Sequence, residues 1–110
     1  MEIYLWVEHA LSEDSEELYS PRDPRDVVAQ NILNNLKYAE EHIKVDGDGN
    51  NTINRAVVQS LISRFCLFEG TWRKYHALQN ATTYLEECTR ASKEVMNKYT
   101  TLHPNYEELF

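Results

Sequence analysis

The stretch DPRDVVAQNILNNLKYAEEHIKV, residues 23–45, decides the fold class, because its apolar residues recur at intervals of three and four positions. The residues of this apolar stripe are Val28, Ile32, Leu36, Ala39 and Ile43. Such spacing is typical of an amphipathic helix. Asp23 is suited to cap the helix and Pro24 to occupy its first position. Two glycines follow within four residues of Val45, so we predict that the first helix covers residues 23–45.

The same periodicity predicts two further helices downstream. Residues 52–68 are apolar on most sides, which indicates a central, buried helix. One of its apolar faces consists of Ile53, Val57, Leu61, Phe65 and Phe68. Gly70 is suited to the position just after a helix end, and a heptad-like seam then predicts a third helix over residues 71–99. We therefore expect an all-α domain, a three- to four-helix bundle over residues 23–103, followed by a tail over residues 104–110.

The N-terminal 22 residues form a separate, acidic arm in this interpretation. Residues 1–11 are a short apolar segment that fits one face of a helix but also has strong strand propensity. No other segment reads as a strand, so we expect a helix here and keep a lone strand as the alternative. Residues 1–20 carry six acidic side chains and no Lys or Arg. The arm residues expected to contact a partner are Glu13, Asp14, Glu16 and Glu17.

The distribution of charge along the sequence favours some classes of binding partner over others. The formal net charge is −7, and the first 20 residues account for −6 of it. The remainder is nearly neutral, which argues against direct nucleic-acid binding, because counterion release requires a basic surface. An acidic arm instead attracts a basic surface on another protein and speeds the encounter.

The lengths of the predicted helices suggest a second contact region. A helix over residues 71–99 would span about 43 Å, whereas one over residues 52–68 would span about 25 Å. The last turns of the longer helix would then lack cover, which the N-terminal segment, a second copy of the chain or another protein could supply. The residues expected in this region and the adjoining tail are Val95, Tyr99, Leu102, Tyr106 and Phe110.

The bulk composition sets the remaining limits. A chain of 110 residues with 42% apolar residues suggests one folded domain. No apolar run is long enough to span a bilayer, and the first residues do not resemble a signal peptide. We therefore expect a cytoplasmic protein that does not bind membranes. Cys66 and Cys88 form no metal-type motif and are expected to be reduced core thiols.

The segment DGDGNNTI, residues 46–53, raises the question of a calcium site. It resembles the loop of calmodulin-type EF-hands, and that resemblance implies ligands at Asp46, Asp48, Asn50 and Thr52. It departs from the pattern at two places, because Asn51 stands where EF-hands have Gly and Val57 where they have a bidentate Glu. A turn between two helices is the alternative, since Asp, Gly and Asn favour such turns.

Catalytic motifs are absent from the sequence. The three glycines, at positions 47, 49 and 70, match neither the GxxxxGK nor the GxGxxG pattern of a phosphate-binding loop. The four histidines share no metal-ligand spacing. We therefore expect no enzyme and no cofactor, apart from calcium as an alternative. The leading hypothesis is a non-enzymatic protein-binding module, an adaptor or a small inhibitor of the phage-encoded type that occupies a basic surface of its partner. The alternatives are a degenerate calcium-binding protein and a structural homo-oligomer formed through the third predicted helix.

Overall fold

The computed structural model describes residues 5–109, which form three α-helices and two short 3₁₀ helices. The α-helices are α1 (Arg25–His42), α2 (Arg55–Tyr75) and α3 (Ala81–Lys98), and the 3₁₀ helices are Glu16–Tyr19 and Glu107–Leu109. No strand occurs among these residues, so the predicted all-α class is confirmed. The chain divides into two compact units, residues 1–35 and 36–110, with the boundary inside α1.

In the first unit, the N-terminal apolar segment adopts neither of the expected forms where the structure describes it. Residues 5–11 are neither helix nor strand, and residues 1–4 lie outside the described residues. The main-chain nitrogen of Trp6 donates a hydrogen bond to the Asp23 carboxylate at 2.7 Å. Asp23 therefore ties this segment to the start of α1, a role that the sequence did not suggest.

The start of α1 lies close to its predicted position. The carbonyl oxygen of Pro24 accepts hydrogen bonds from the main-chain nitrogens of Val27 and Val28, at 3.0 and 3.2 Å. These are the first bonds of the helix, so Pro24 precedes the first helical residue instead of being that residue. Of the predicted apolar stripe, Val28 is buried and the other four residues are half-buried. Leu33, which the predicted stripe did not include, is buried as well.

The second unit is built on the packing of α2 against α3. α2 continues for seven residues beyond the predicted end at residue 68, and α3 begins ten residues later than predicted. The break lies at residues 76–80, where Ala77 and Asn80 adopt positive φ values of 52° and 65°. The predicted boundary at Gly70 is therefore wrong, and Gly70 lies inside α2.

Gly70 instead lies where α2 packs closely against α3. A Cβ atom added to Gly70 would lie 2.7 Å from Cγ of Leu85 on α3 and 3.2 Å from the carbonyl oxygen of Ala81. A side chain at this position would separate the helices, so the glycine serves packing. Nearby, the hydroxyls of Ser63 and Ser92 join α2 to α3 by a hydrogen bond of 2.6 Å.

The revised boundaries remove the length argument for an uncovered third helix. α3 has 18 residues and α2 has 21, so the third helix is the shorter of the two. Tyr99 caps the C-terminus of α3, and the chain that follows is irregular up to the last 3₁₀ helix. The expected helical seam from Val95 to Leu102 is therefore interrupted after Lys98.

Candidate protein-binding surface

One side of α2 is buried. Ile62, Cys66 and Glu69 each have an exposed fraction of 0%, and Arg73 has 2%. These positions recur at intervals of four, three and four residues, so they form one stripe along the helix. The side chain of Phe65 contacts Tyr84 of α3 edge-on, with ring centroids 6.3 Å apart. This side of α2 forms the core of the second unit.

The opposite side of α2 is apolar as well, and it is exposed. Its residues, which we call the α2 face, are Val57, Leu61, Arg64, Phe68 and Tyr75. They follow one another at intervals of four, three, four and seven residues, so they too lie on one line along the helix. The exposed fraction is 51% for Leu61, 47% for Phe68 and 87% for Tyr75. The prediction that this helix is buried on most sides is therefore wrong.

Local interactions hold the α2 face in place. The Asn54 side chain caps the helix by accepting a hydrogen bond from the main-chain nitrogen of Val57 at 3.1 Å. Near the other end, the rings of Phe68 and Trp72 stack with centroids 6.5 Å apart, and those of Trp72 and His76 stack at 4.0 Å. These aromatic contacts restrict the conformations of the Phe68, Trp72 and His76 side chains along the last turns of α2.

The buried charges of α2 are paired with each other. Nε of Arg73 donates to the Glu69 carboxylate at 2.8 Å, and its guanidinium also reaches the carbonyl oxygen of Gln79 and lies over the Tyr84 ring. Glu69 is the only acidic residue of α2. Because Glu69 is buried, the exposed charges of this helix are all positive.

The acidic side chains of the N-terminal arm differ in exposure. Glu13, Asp14 and Glu16 are exposed, and Glu17 is half-buried. Glu16 and Glu17 open the first 3₁₀ helix, and a Glu17 carboxylate oxygen lies 3.2 Å from Nε2 of His9. The three outward carboxylates are available to a partner.

The C-terminal residues of the predicted contact region do not form one helical surface. Val95 is half-buried on α3, whereas Tyr99, Leu102 and Tyr106 are exposed in the irregular segment beyond it. Phe110 lies outside the described residues. The structure therefore shows several exposed apolar side chains here but no continuous stripe.

The loop over residues 46–53, which resembles an EF-hand loop, is held by hydrogen bonds and by ion pairs between lysines and its carboxylates. The hydroxyl of Thr52 accepts from the main-chain nitrogen of Asp48 at 3.1 Å and donates to the carbonyl oxygen of Gly49 at 2.7 Å. Lys44 pairs with Asp48, and Nζ of Lys98 donates to Asp46 at 3.0 Å. Asn50 is exposed. Within residues 5–109, no group of three or more His, Cys, Asp or Glu side chains could hold a metal ion.

A charged pocket of about 550 Å³ opens beside α1, α2 and α3 within the second unit. Its lining includes the Glu40 carboxylate, which accepts hydrogen bonds from Arg90 at 2.8 and 3.1 Å and from Gln59 at 2.9 Å. Burial would raise the pKa of Glu40, but these hydrogen bonds outweigh it and hold the pKa below its ordinary value. Arg90 also bonds Glu87. Each of these charges is thus satisfied by a neighbour, as in a structural ion-pair network.

Sequence reasoning missed the most informative of these residues. The sequence patterns do not single out Arg64 or Tyr75, and they predict that Leu61 and Phe68 are buried. Both sides of α2 carry apolar residues at helical spacing, so periodicity alone cannot tell which side is covered. The absence of an exposed acid on this helix was a usable signal, because Glu69 sits on the line of the buried residues.

Comparison of the chain with protein-family models, with curated proteins and with solved structures finds no match. None of the helices within residues 5–109 combines the length and the apolar character that crossing a membrane requires.

Proposed function

We propose that this chain is a non-enzymatic protein-binding module, an adaptor or small inhibitor, that uses the α2 face as its main contact surface. The observation that carries the proposal is that α2 has large apolar side chains on its exposed side as well as on its buried side. A helix exposed to water on its outer side normally presents polar residues there. An apolar line over five turns is better explained by a partner that covers it.

The size of the α2 face supports this role. Its apolar side chains expose roughly 450 Å² in total, given that a large side chain offers about 150–250 Å². The largest apolar patch of a typical monomer measures about 300–600 Å² and is often functional. Covering the α2 face would contribute about 11 kcal/mol at about 25 cal/mol per Å². That is comparable to the cost of association, so further contacts are needed for a stable complex.

The acidic arm is the proposed source of those further contacts. Glu13, Asp14 and Glu16 project into solvent, and a basic surface on the partner would be attracted to them over several ångströms. The exposed side chains of Tyr99, Leu102 and Tyr106 are proposed as additional contacts at the C-terminal end. In this proposal the protein is cytoplasmic and binds neither nucleic acid nor membrane.

Affinity capture from the source cells tests the proposal. The wild-type chain is compared with Leu61→Asp/Phe68→Asp, which places two charges on the α2 face, and with Met96→Asp on α3 as the control. Met96 is also a highly exposed apolar residue, with an exposed fraction of 67%. We expect a captured protein that is lost with the double variant and retained with the control. Equal capture by all three chains would exclude the α2 face, and capture of nothing by the wild type would contradict the proposed function.

A further inference from the structure

The charges on and beside the α2 face specify the chemistry of its partner. Arg64 lies within the apolar line, and Lys74 flanks its C-terminal end. In the part of the chain that the structure describes, neither side chain takes part in a hydrogen bond or an ion pair. Most other bases of the second unit are engaged, for example Lys98 with Asp46 and Arg90 with Glu40. Lys93 on α3 is also exposed without an ion pair among the described residues, but it does not lie on α2. Arg64 and Lys74 are therefore the two cations of α2 that are available for an anionic partner.

The length and spacing of the α2 face fit a helix as the partner. The face extends from Val57 to Tyr75, which corresponds to about 27 Å and five helical turns. Anchors at intervals of four, three and four residues are the pattern by which one helix lies along another. A single turn or a short loop would cover only part of this line, whereas a helix of four to five turns would cover most of it.

A second copy of the chain is a poor fit to the same face. In a two-fold antiparallel pair of α2 helices, Arg64 would lie near the centre of the contact, since it is two residues from the midpoint between Val57 and Tyr75. The two copies of Arg64 would then be only about 6 Å apart along the axis. Like charges at that distance destabilise an interface. An acidic helix would instead place carboxylates opposite Arg64 and Lys74.

An anionic membrane is also a poorer fit. Membrane-surface helices carry many Lys and Arg residues beside their apolar side, whereas the α2 face and its flank offer two. The chain as a whole carries a formal net charge of −7, so it would be repelled by an anionic lipid surface.

We propose, on the basis of the protein-binding function above, that the α2 face binds an acidic amphipathic helix of a partner protein. The apolar side of that helix packs on Leu61 and Phe68, and its carboxylates pair with Arg64 and Lys74. The acidic arm and the α2 face then recognise opposite charges, so one chain can join a basic surface and an acidic helix.

A pair of fluorescent peptides tests this inference. Both are 18-residue amphipathic helices with leucines at intervals of three and four; one carries Glu at its flanking positions and its twin carries Lys. Fluorescence anisotropy is measured with the full chain, with Arg64→Glu and with Lys93→Glu, an exposed residue of α3 that gives the same charge change. We expect the wild type and Lys93→Glu to bind the acidic peptide at least tenfold more tightly than the basic one. Arg64→Glu should lose or reverse that preference.

Each other outcome would overturn the inference. Equal binding of the two peptides, or binding of neither, would show that the charge of the α2 face does not select its partner. Concentration-dependent dimerisation that Leu61→Asp abolishes would assign the face to a second copy. Binding to phosphatidylserine-containing vesicles that Arg64→Glu abolishes would assign it to a membrane. In all of these cases the capture experiment described above still decides separately whether the chain is a protein-binding module.

Discussion

Leu61 and Ile62 are neighbours on α2, and substituting each by alanine should have very different effects on stability. Ile62 has an exposed fraction of 0% and Leu61 one of 51%. Ile62→Ala removes fully buried carbons and leaves a cavity, which costs about 3 kcal/mol. Leu61→Ala removes about half as much contact with protein and leaves no cavity, so it should cost about 1 kcal/mol or less.

Urea unfolding followed by far-ultraviolet circular dichroism measures this difference. With a slope of about 2 kcal/mol per molar urea, the midpoint should fall by about 1.5 M for Ile62→Ala and by about 0.5 M or less for Leu61→Ala. The slope itself should stay unchanged, because neither variant alters the surface exposed on unfolding by much. An equal fall in the urea midpoint for the two variants would contradict the exposure of Leu61. α2 would then be covered on both sides and would offer no face to a partner.

The other predictions concern the packing, the ion-pair network, the buried thiol and the loop. Gly70→Ala should lower the free energy of unfolding by about 1 kcal/mol in urea titrations, because crowding against α3 outweighs the gain in helix propensity; unchanged or higher stability would show that α3 lies further away. Glu40→Gln should cost about 1 kcal/mol at neutral pH. Since the folded-state pKa of Glu40 is lowered, this cost should be complete above about pH 5 and should vanish as the pH falls through that pKa, and a pH-independent cost would contradict the pairing with Arg90. Burial raises the pKa of Cys66 to about 12, so iodoacetamide at about pH 8 should modify it roughly a thousandfold more slowly in the folded chain than in urea, as read by peptide mass spectrometry; similar rates would show that the thiol is accessible. Calcium titration should leave the amide resonances of residues 46–57 in place, because lysines already pair with both loop carboxylates, and saturable shifts would establish the calcium alternative.

The first helix was predictable because its signals are local. The apolar stripe and the following glycines are properties of adjacent residues, and α1 begins two residues later and ends three residues earlier than predicted. The all-α class followed from the same periodicity, repeated along the chain.

The boundary between α2 and α3 was not predictable from local signals. The glycine at position 70 predicts a helix end, because glycine favours the positive φ of the position that follows a helix. In the structure its role depends on Leu85, fifteen residues away, whose side chain occupies the space that a Cβ atom would need. The break in fact occurs at Ala77 and Asn80, which both adopt a left-handed conformation. Asn is moderately common in that conformation, whereas Ala is not, so the identity of Ala77 gives little indication of the break.

The candidate site was missed for a related reason. The sequence identifies Val57, Leu61 and Phe68 as one apolar line and Ile62 and Cys66 as another, but their patterns are equivalent. Which line is covered depends on how α3 packs, and that is a property of the tertiary structure. The acidic arm, by contrast, could be recognised directly from composition.

Paramagnetic relaxation of methyl resonances by a soluble gadolinium chelate measures whether one apolar side of α2 faces solvent. We predict strong relaxation of the Val57 and Leu61 methyl groups and weak relaxation of the Ile62 methyl groups, with Met96 as an exposed reference. Protection of Leu61 to the same degree as Ile62 would contradict this prediction.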